Sequence, residues 1–163
     1  MKKIDSDGLL LCDIQAKTFE LSLKTESTSS EIFIRRFMHS DIARHLDSKA
    51  ILDTNWQPKD ILDFVREEYG ESNYGSVKYS ANELYWIGYI YRYFSYTYNK
   101  SSRQVYKIVK PKELRGLYLP YHTMDPSQAI ERILEARGLP ITEEEEIKRQ
   151  LDILRRIRNE SRK

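Results

Sequence analysis

The sequence of 163 residues is poor in the residues that build covalent or metal-held frameworks. It has one cysteine, Cys12, so neither a disulfide nor a cluster of thiolate ligands can form within one chain. Such a chain is typical of a reducing compartment, and we expect a cytoplasmic protein. The first 15 residues hold only three consecutive leucines, and no apolar run approaches a membrane span. We therefore expect neither a secretion signal nor a membrane partner.

Histidine and glycine are also scarce, and neither forms a pattern that assembles a reaction site. His39 and His45 lie six residues apart, not the three or four that bring two ligands onto one helical face. The six glycines are scattered, so the chain lacks a phosphate-binding loop. Carboxylates form solvated runs, as in residues 143–146, and not pairs in apolar surroundings. The sequence predicts no catalytic residue, no metal ligand and no cofactor.

The chain also lacks a strong net charge. Its formal charge is +2, so nucleic-acid binding must be argued from local patches and not from the whole protein. Short basic segments at residues 101–109 and 111–118 do resemble a helix–turn–helix. An alternative hypothesis is therefore operator-DNA binding through four cations of these segments, Arg103, Lys107, Lys112 and Arg115. Two ordinary helices with solvated lysines would give the same pattern.

Aromatic residues are abundant, and they are concentrated in one segment. Residues 81–98 are predicted to form a helix that is apolar on every side, with eight aromatic side chains: Tyr85, Trp86, Tyr89, Tyr91, Tyr93, Phe94, Tyr96 and Tyr98. Because a helix that is apolar all round must be covered all round, we expect it to be the centre of the fold. Trp86, Ile87, Ile90 and Phe94 should be almost inaccessible.

Helix-capping signals recur along the chain. Ser or Thr followed three residues later by Glu or Gln marks several helix starts, and Gly70 and Gly138 mark two ends. The sequence predicts a compact all-α domain over residues 1–138 and a charged amphipathic helix of the same domain over 139–163. Residues 70–79, rich in Gly, Ser and Asn, should form the most mobile loop. Residues 8–27 fit either a helix or a short hairpin, because residues 18–25 alternate like a strand.

The C-terminal segment has the features of a binding helix. Ile147, Leu151, Leu154 and Ile157 make an apolar seam, with Ile153 nearby, and the segment is rich in arginine. It could dock on its own domain, on an acidic protein or on nucleic acid. The residues predicted to bind a partner are Leu151, Leu154, Arg155 and Arg158, together with Tyr121 and His122 of a structured turn.

Three strings of the sequence resemble a known family: SSEIFIRRFMHSDIARHLD, ANELYWIGYIYRYFSY and KIVKPKELRGLYLPYHTMDPSQAIERI. They are similar to small antitoxin-like proteins of Gram-positive bacteria and their mobile elements, over about residues 28–135. The resemblance implies a partner encoded by a neighbouring gene, but it carries over no catalytic residue. We therefore expect a non-enzymatic protein that neutralises a toxin from the adjacent gene. Operator-DNA binding, and an enzyme with a pocket under Tyr121 and His122, are the alternatives, and the sequence leaves the oligomeric state open.

Overall fold

The computed structural model describes all 163 residues and is entirely helical, which confirms the predicted fold class. None of its helices combines the length and the apolar character that crossing a membrane would require. A short 3-10 helix, Ala50–Asp53, lies between the third and fourth of nine α-helices. These are α1 (Ser6–Thr25), α2 (Ser30–His39), α3 (Asp41–Asp47), α4 (Pro58–Tyr69), α5 (Ala81–Tyr98), α6 (Ser102–Ile108), α7 (Pro111–Tyr121), α8 (Pro126–Ala136) and α9 (Glu143–Glu160).

The aromatic helix α5 is the centre of the fold, as predicted. It begins with a reciprocal cap, in which the Ser80 hydroxyl accepts from the Glu83 amide and the Glu83 carboxylate accepts from the Ser80 amide. Twelve of its 18 residues are buried, and α1, α6, α7 and α8 pack around it. The four residues expected to be inaccessible are all buried, at 9% exposure or less: Trp86, Ile87, Ile90 and Phe94.

The N-terminal segment is a helix, so the hairpin alternative for residues 8–27 is wrong. Asp5 caps α1 by accepting from the amide of Gly8 at 2.9 Å. Gly8, Cys12 and Ala16 recur every four residues and are buried against α5. These small side chains let the backbones of α1 and α5 approach closely, and α1 becomes the most extensive neighbour of α5. This packing decides the ambiguous segment in favour of a helix.

The loop expected to be mobile is held along the start of α2. Carbonyl groups of Ser72 and Tyr74 accept from the hydroxyls of Ser27 and Thr28, each at 2.7 Å. The backbone amides of Ser29 and Ser30 donate to the carbonyl groups of Tyr74 and Val77, respectively. The hydroxyl of Ser30 accepts from the backbone amide of Tyr79. Gly75, at φ +79°, permits the close approach, because a Cβ there would lie 2.8 Å from Cβ of Ser29. Loop composition could not reveal these hydrogen bonds.

The last helix, α9, stands apart from the domain. Thr142 caps its first turn, and none of its residues is buried. The preceding residues Leu139 and Ile141 do pack against the core. The packed domain therefore extends to about residue 141, slightly beyond the predicted boundary at residue 138.

Candidate protein-binding surfaces

The apolar seam of α9 faces solvent. We define the α9 seam as five aliphatic residues whose exposure ranges from 42% to 61%: Ile147, Leu151, Ile153, Leu154 and Ile157. A groove of about 540 Å³, lined by Thr97–Lys100 on one side and by Glu146 and Gln150 on the other, separates α9 from the end of α5. Docking of the tail on its own core, one of the three alternatives from the sequence, is therefore not observed.

Charge is distributed unevenly along α9. All four residues of its first turn are glutamates, which favour a helix N-terminus electrostatically. Residues 147–163 then hold seven Lys and Arg against two acids. The predicted partner-binding residues Arg155 and Arg158 are exposed, and Arg155 has only a long contact of 3.9 Å with Asp152. The α9 seam is thus bordered by guanidinium groups that are available to a partner.

Tyr121 and His122 lie at the other predicted binding region, the end of α7. Tyr121 is half-buried and packs against the core, whereas His122 is exposed. The His122 ring stacks on Tyr118 at 4.3 Å, and Tyr118 meets Trp86 edge-on at 5.9 Å. No extended packing joins α7 to α9, so these two residues and the α9 seam form separate surfaces.

Leu119 is a surface residue that sequence reasoning missed. It is 80% exposed, more than any other large apolar side chain of the chain. Its neighbours on the outer side of α7 are Gly116 and Pro120, which are exposed as well. A leucine inside a helical pattern is read as a core residue, and only the position of α7 on the domain shows that this one faces solvent.

A row of tyrosines marks the part of α5 that other helices leave partly uncovered. Tyr85, Tyr89 and Tyr93 stack at 6.4 Å and 6.3 Å between ring centroids. Tyr85 and Tyr89 are half-buried, and Tyr85 donates to Asp13 of α1 at 3.3 Å. Burial raises the pKa of Tyr89 to about 12, so its phenol stays protonated and can donate a hydrogen bond. Rings that combine apolar area with a hydroxyl suit protein contacts.

The four cations of the DNA-binding hypothesis do not form one free patch. Arg103 donates to the carbonyl of His39 at 3.1 Å. Arg115 pairs with Glu83 at 3.1 Å and lies over the ring of Tyr79. Lys107 and Lys112 are exposed. Two of the four side chains therefore already bind groups of the domain itself.

The most buried charge in the protein was also missed. Arg92 is 1% exposed, and its guanidinium donates to Gln15 at 2.8 Å, Asp47 at 2.6 Å and Ser102 at 2.8 Å. Ser95 accepts a further bond. With its donors engaged, Arg92 joins α1, α3, α5 and the start of α6 and offers nothing to a ligand. One arginine within an aromatic run gives no sequence signal for such a network.

Cys12 is placed for packing and not for reaction. It is fully buried at the contact of α1 with α5. Burial raises the pKa of its thiol to about 12, so the reactive thiolate is not populated near neutral pH.

No family model matches this chain, and neither a curated protein nor a solved structure matches it. The function is therefore argued from the geometry of these surfaces.

Proposed function

We propose that this protein is a non-enzymatic, antitoxin-like protein that binds and neutralises a protein toxin encoded by a neighbouring gene in the cytoplasm. One observation carries the proposal: α9 is an 18-residue helix with no buried residue and an exposed aliphatic seam. An unpartnered amphipathic helix is a common way for one protein to occupy an apolar groove of another. The resemblance of residues 28–135 to antitoxin-like proteins indicates that the partner is a protein toxin.

Neutralisation would proceed by occlusion of the toxin's active site. The α9 seam would enter an apolar groove, and Arg155 and Arg158 would meet carboxylates at its edge. Arginine is enriched among the residues that dominate binding energy, because its planar guanidinium pairs with carboxylates through two hydrogen bonds. The preferred partner therefore has an apolar groove with an acidic rim.

The DNA-binding alternative has weaker support. Arg103 and Arg115 are held by His39 and Glu83, and the outer side of α7 presents Gly116, Leu119 and Pro120. A surface of this composition offers few contacts to phosphates, which supply most of the affinity for DNA. The exposed lysines Lys107 and Lys112 are the features that keep this alternative open.

Growth of cells that express the neighbouring gene tests the proposal. The wild-type protein should restore growth, and Leu151→Gln with Leu154→Gln should not, because the α9 seam loses its two central leucines. The matched control is Lys148→Gln with Arg156→Gln, two substitutions on the opposite side of α9, which should still protect. Circular dichroism verifies that both variants are folded. A harmless neighbouring gene, or a toxic one that the wild-type protein does not counter, would refute the proposal.

A further inference from the structure

We propose that α9 pairs in antiparallel orientation with α9 of a second copy of this chain. The charge distribution along α9 carries this inference. Its first turn holds four glutamates, whereas residues 147–163 hold seven cations against two acids. A parallel pair would place glutamates beside glutamates and arginines beside arginines. An antiparallel pair places the acidic turn of each helix beside the basic end of the other.

The positions of the aliphatic residues agree with this orientation. Ile147 and Ile157 lie near the two ends of the α9 seam, and Leu151, Ile153 and Leu154 lie between them. An antiparallel pair centred on residue 152 therefore places Ile147 level with Ile157 of the second copy. The leucines then fill the centre, and each copy covers the other's exposed aliphatic side chains. Each contact occurs twice, as two-fold symmetry requires.

The same register pairs charges at one border of the seam. Glu144, Leu151 and Arg158 recur every seven residues and share one side of α9, and Arg162 follows Arg158 by one turn. Antiparallel pairing brings these equivalent sides together, so Glu144 lies between Arg158 and Arg162 of the second copy. All three are exposed, and the ion pairs within α9 use other residues, namely Glu146 with Arg149 and Asp152 with Arg155.

This pairing goes beyond the proposed function and does not depend on a toxin. It explains how a free chain could shield an exposed aliphatic seam from unspecific contacts. The seam cannot contact a second copy and a toxin at the same time. A toxin that binds α9 would therefore have to separate the pair.

Light scattering coupled to size-exclusion chromatography tests the pairing with the full-length protein alone. The wild-type chain should have the mass of a dimer that dissociates on dilution. Glu144→Arg should be a monomer at the concentrations at which the wild-type chain is a dimer, and so should Arg158→Glu with Arg162→Glu. An equimolar mixture of these two variants should recover the dimer, because one of its two Glu–Arg contacts then has reversed charges and the other keeps its native residues. Asp152→Arg makes the same charge change on the opposite side of α9 and should remain a dimer.

Three results would overturn the inference. The first is a wild-type chain that stays monomeric up to about 1 mM. The second is a dimer that persists in both charge-reversal variants. The third is a mixture of the two variants that remains monomeric, which would exclude the antiparallel register. The growth assay for the proposed function is separate, so either proposal can fail while the other stands.

Discussion

Gly88 is the residue at which the central helix pair is most tightly constrained. A methyl group there would lie 2.9 Å from Cγ of Phe19, 3.0 Å from the carbonyl oxygen of Gln15 and 3.1 Å from Cα of Ala16. Two of these atoms belong to the backbone of α1, which cannot yield without separating α1 from α5. The glycine is thus required by the helix contact and not by its own backbone conformation.

We expect Gly88→Ala to lower the free energy of unfolding by about 1–3 kcal/mol, because extra volume in a packed core forces the backbone apart. Urea unfolding followed by circular dichroism measures this change. Gly116→Ala is the matched control, since Gly116 lies in α7, is exposed and has no neighbouring atom within 4 Å of an added Cβ. It should stabilise by about 0.5–1 kcal/mol through helix propensity. If the two substitutions changed the free energy of unfolding equally, the close contact of Gly88 with the backbone of α1 would be wrong.

The network around Arg92 makes an asymmetric prediction about its two charges. Asp47→Ala leaves a fully buried guanidinium without its counterion and should cost about 3–5 kcal/mol. Arg92→Met should cost less, because the Asp47 side chain is 20% exposed and keeps its bonds from Ser102. Urea unfolding of both variants gives the comparison. If Arg92→Met lowered the free energy of unfolding more than Asp47→Ala, the hydrogen bonds of Arg92 would stabilise the fold by more than is needed to offset the burial of its charge.

At the scale of the helix, truncation can separate the contribution of α9 to stability from that of Leu139 and Ile141, which precede it and pack against the core. Removal of residues 143–163 should leave the thermal midpoint close to that of the full chain, because α9 has no buried residue. Removal of residues 139–163 should lower it, because Leu139 and Ile141 are then lost from the core. Calorimetry of the two truncated proteins measures the difference. Identical midpoints would show that these two side chains contribute little to the domain.

The helices show which local features a sequence reveals. The pattern of Ser or Thr followed three residues later by Glu or Gln is a local signal, and it marks the caps of α5, α6 and α9 at Ser80, Ser101 and Thr142. The start of α1 has only Asp5 as a cap. Its small residues pack against the part of α5 that contains Gly88, some 70 residues away in sequence, and local sequence patterns do not show such a contact. The contact between α1 and α5 therefore decided between the helix and the hairpin, which the alternating pattern of residues 18–25 had left open.

At the scale of the whole molecule, composition predicted the centre of the fold better than its surface. An aromatic helix must be covered, so its burial follows from chemistry alone. The exposure of Leu119, and the separation of α9 from the domain, depend on how helices are arranged. Leu151, Leu154, Arg155 and Arg158 were identified from the pattern of the tail. That they face solvent could be seen only in the assembled structure.

The buried tyrosines predict how the whole protein responds to alkali. Burial raises the pKa of Tyr79, Tyr89 and Tyr98 to about 12, and it raises the pKa of Tyr91 well above 10. An unfolded tyrosine ionises near pH 10, so the unfolded chain loses these protons first. The stability that they contribute is complete below about pH 10 and is lost as the pH rises towards about 12.

We therefore expect the free energy of unfolding in urea to fall steeply between about pH 10 and 12, with tyrosinate absorbance rising as the helices melt. Tyr91→Phe should make the fall shallower, because it removes a buried ionisable group, although the lost bond to Val109 lowers stability at neutral pH. Tyr74→Phe is the control, since Tyr74 is 74% exposed and its loss should leave the profile unchanged. If most of the tyrosines ionised while the circular dichroism stayed native, the tyrosines around α5 would be accessible to solvent, and the central position of that helix would be wrong.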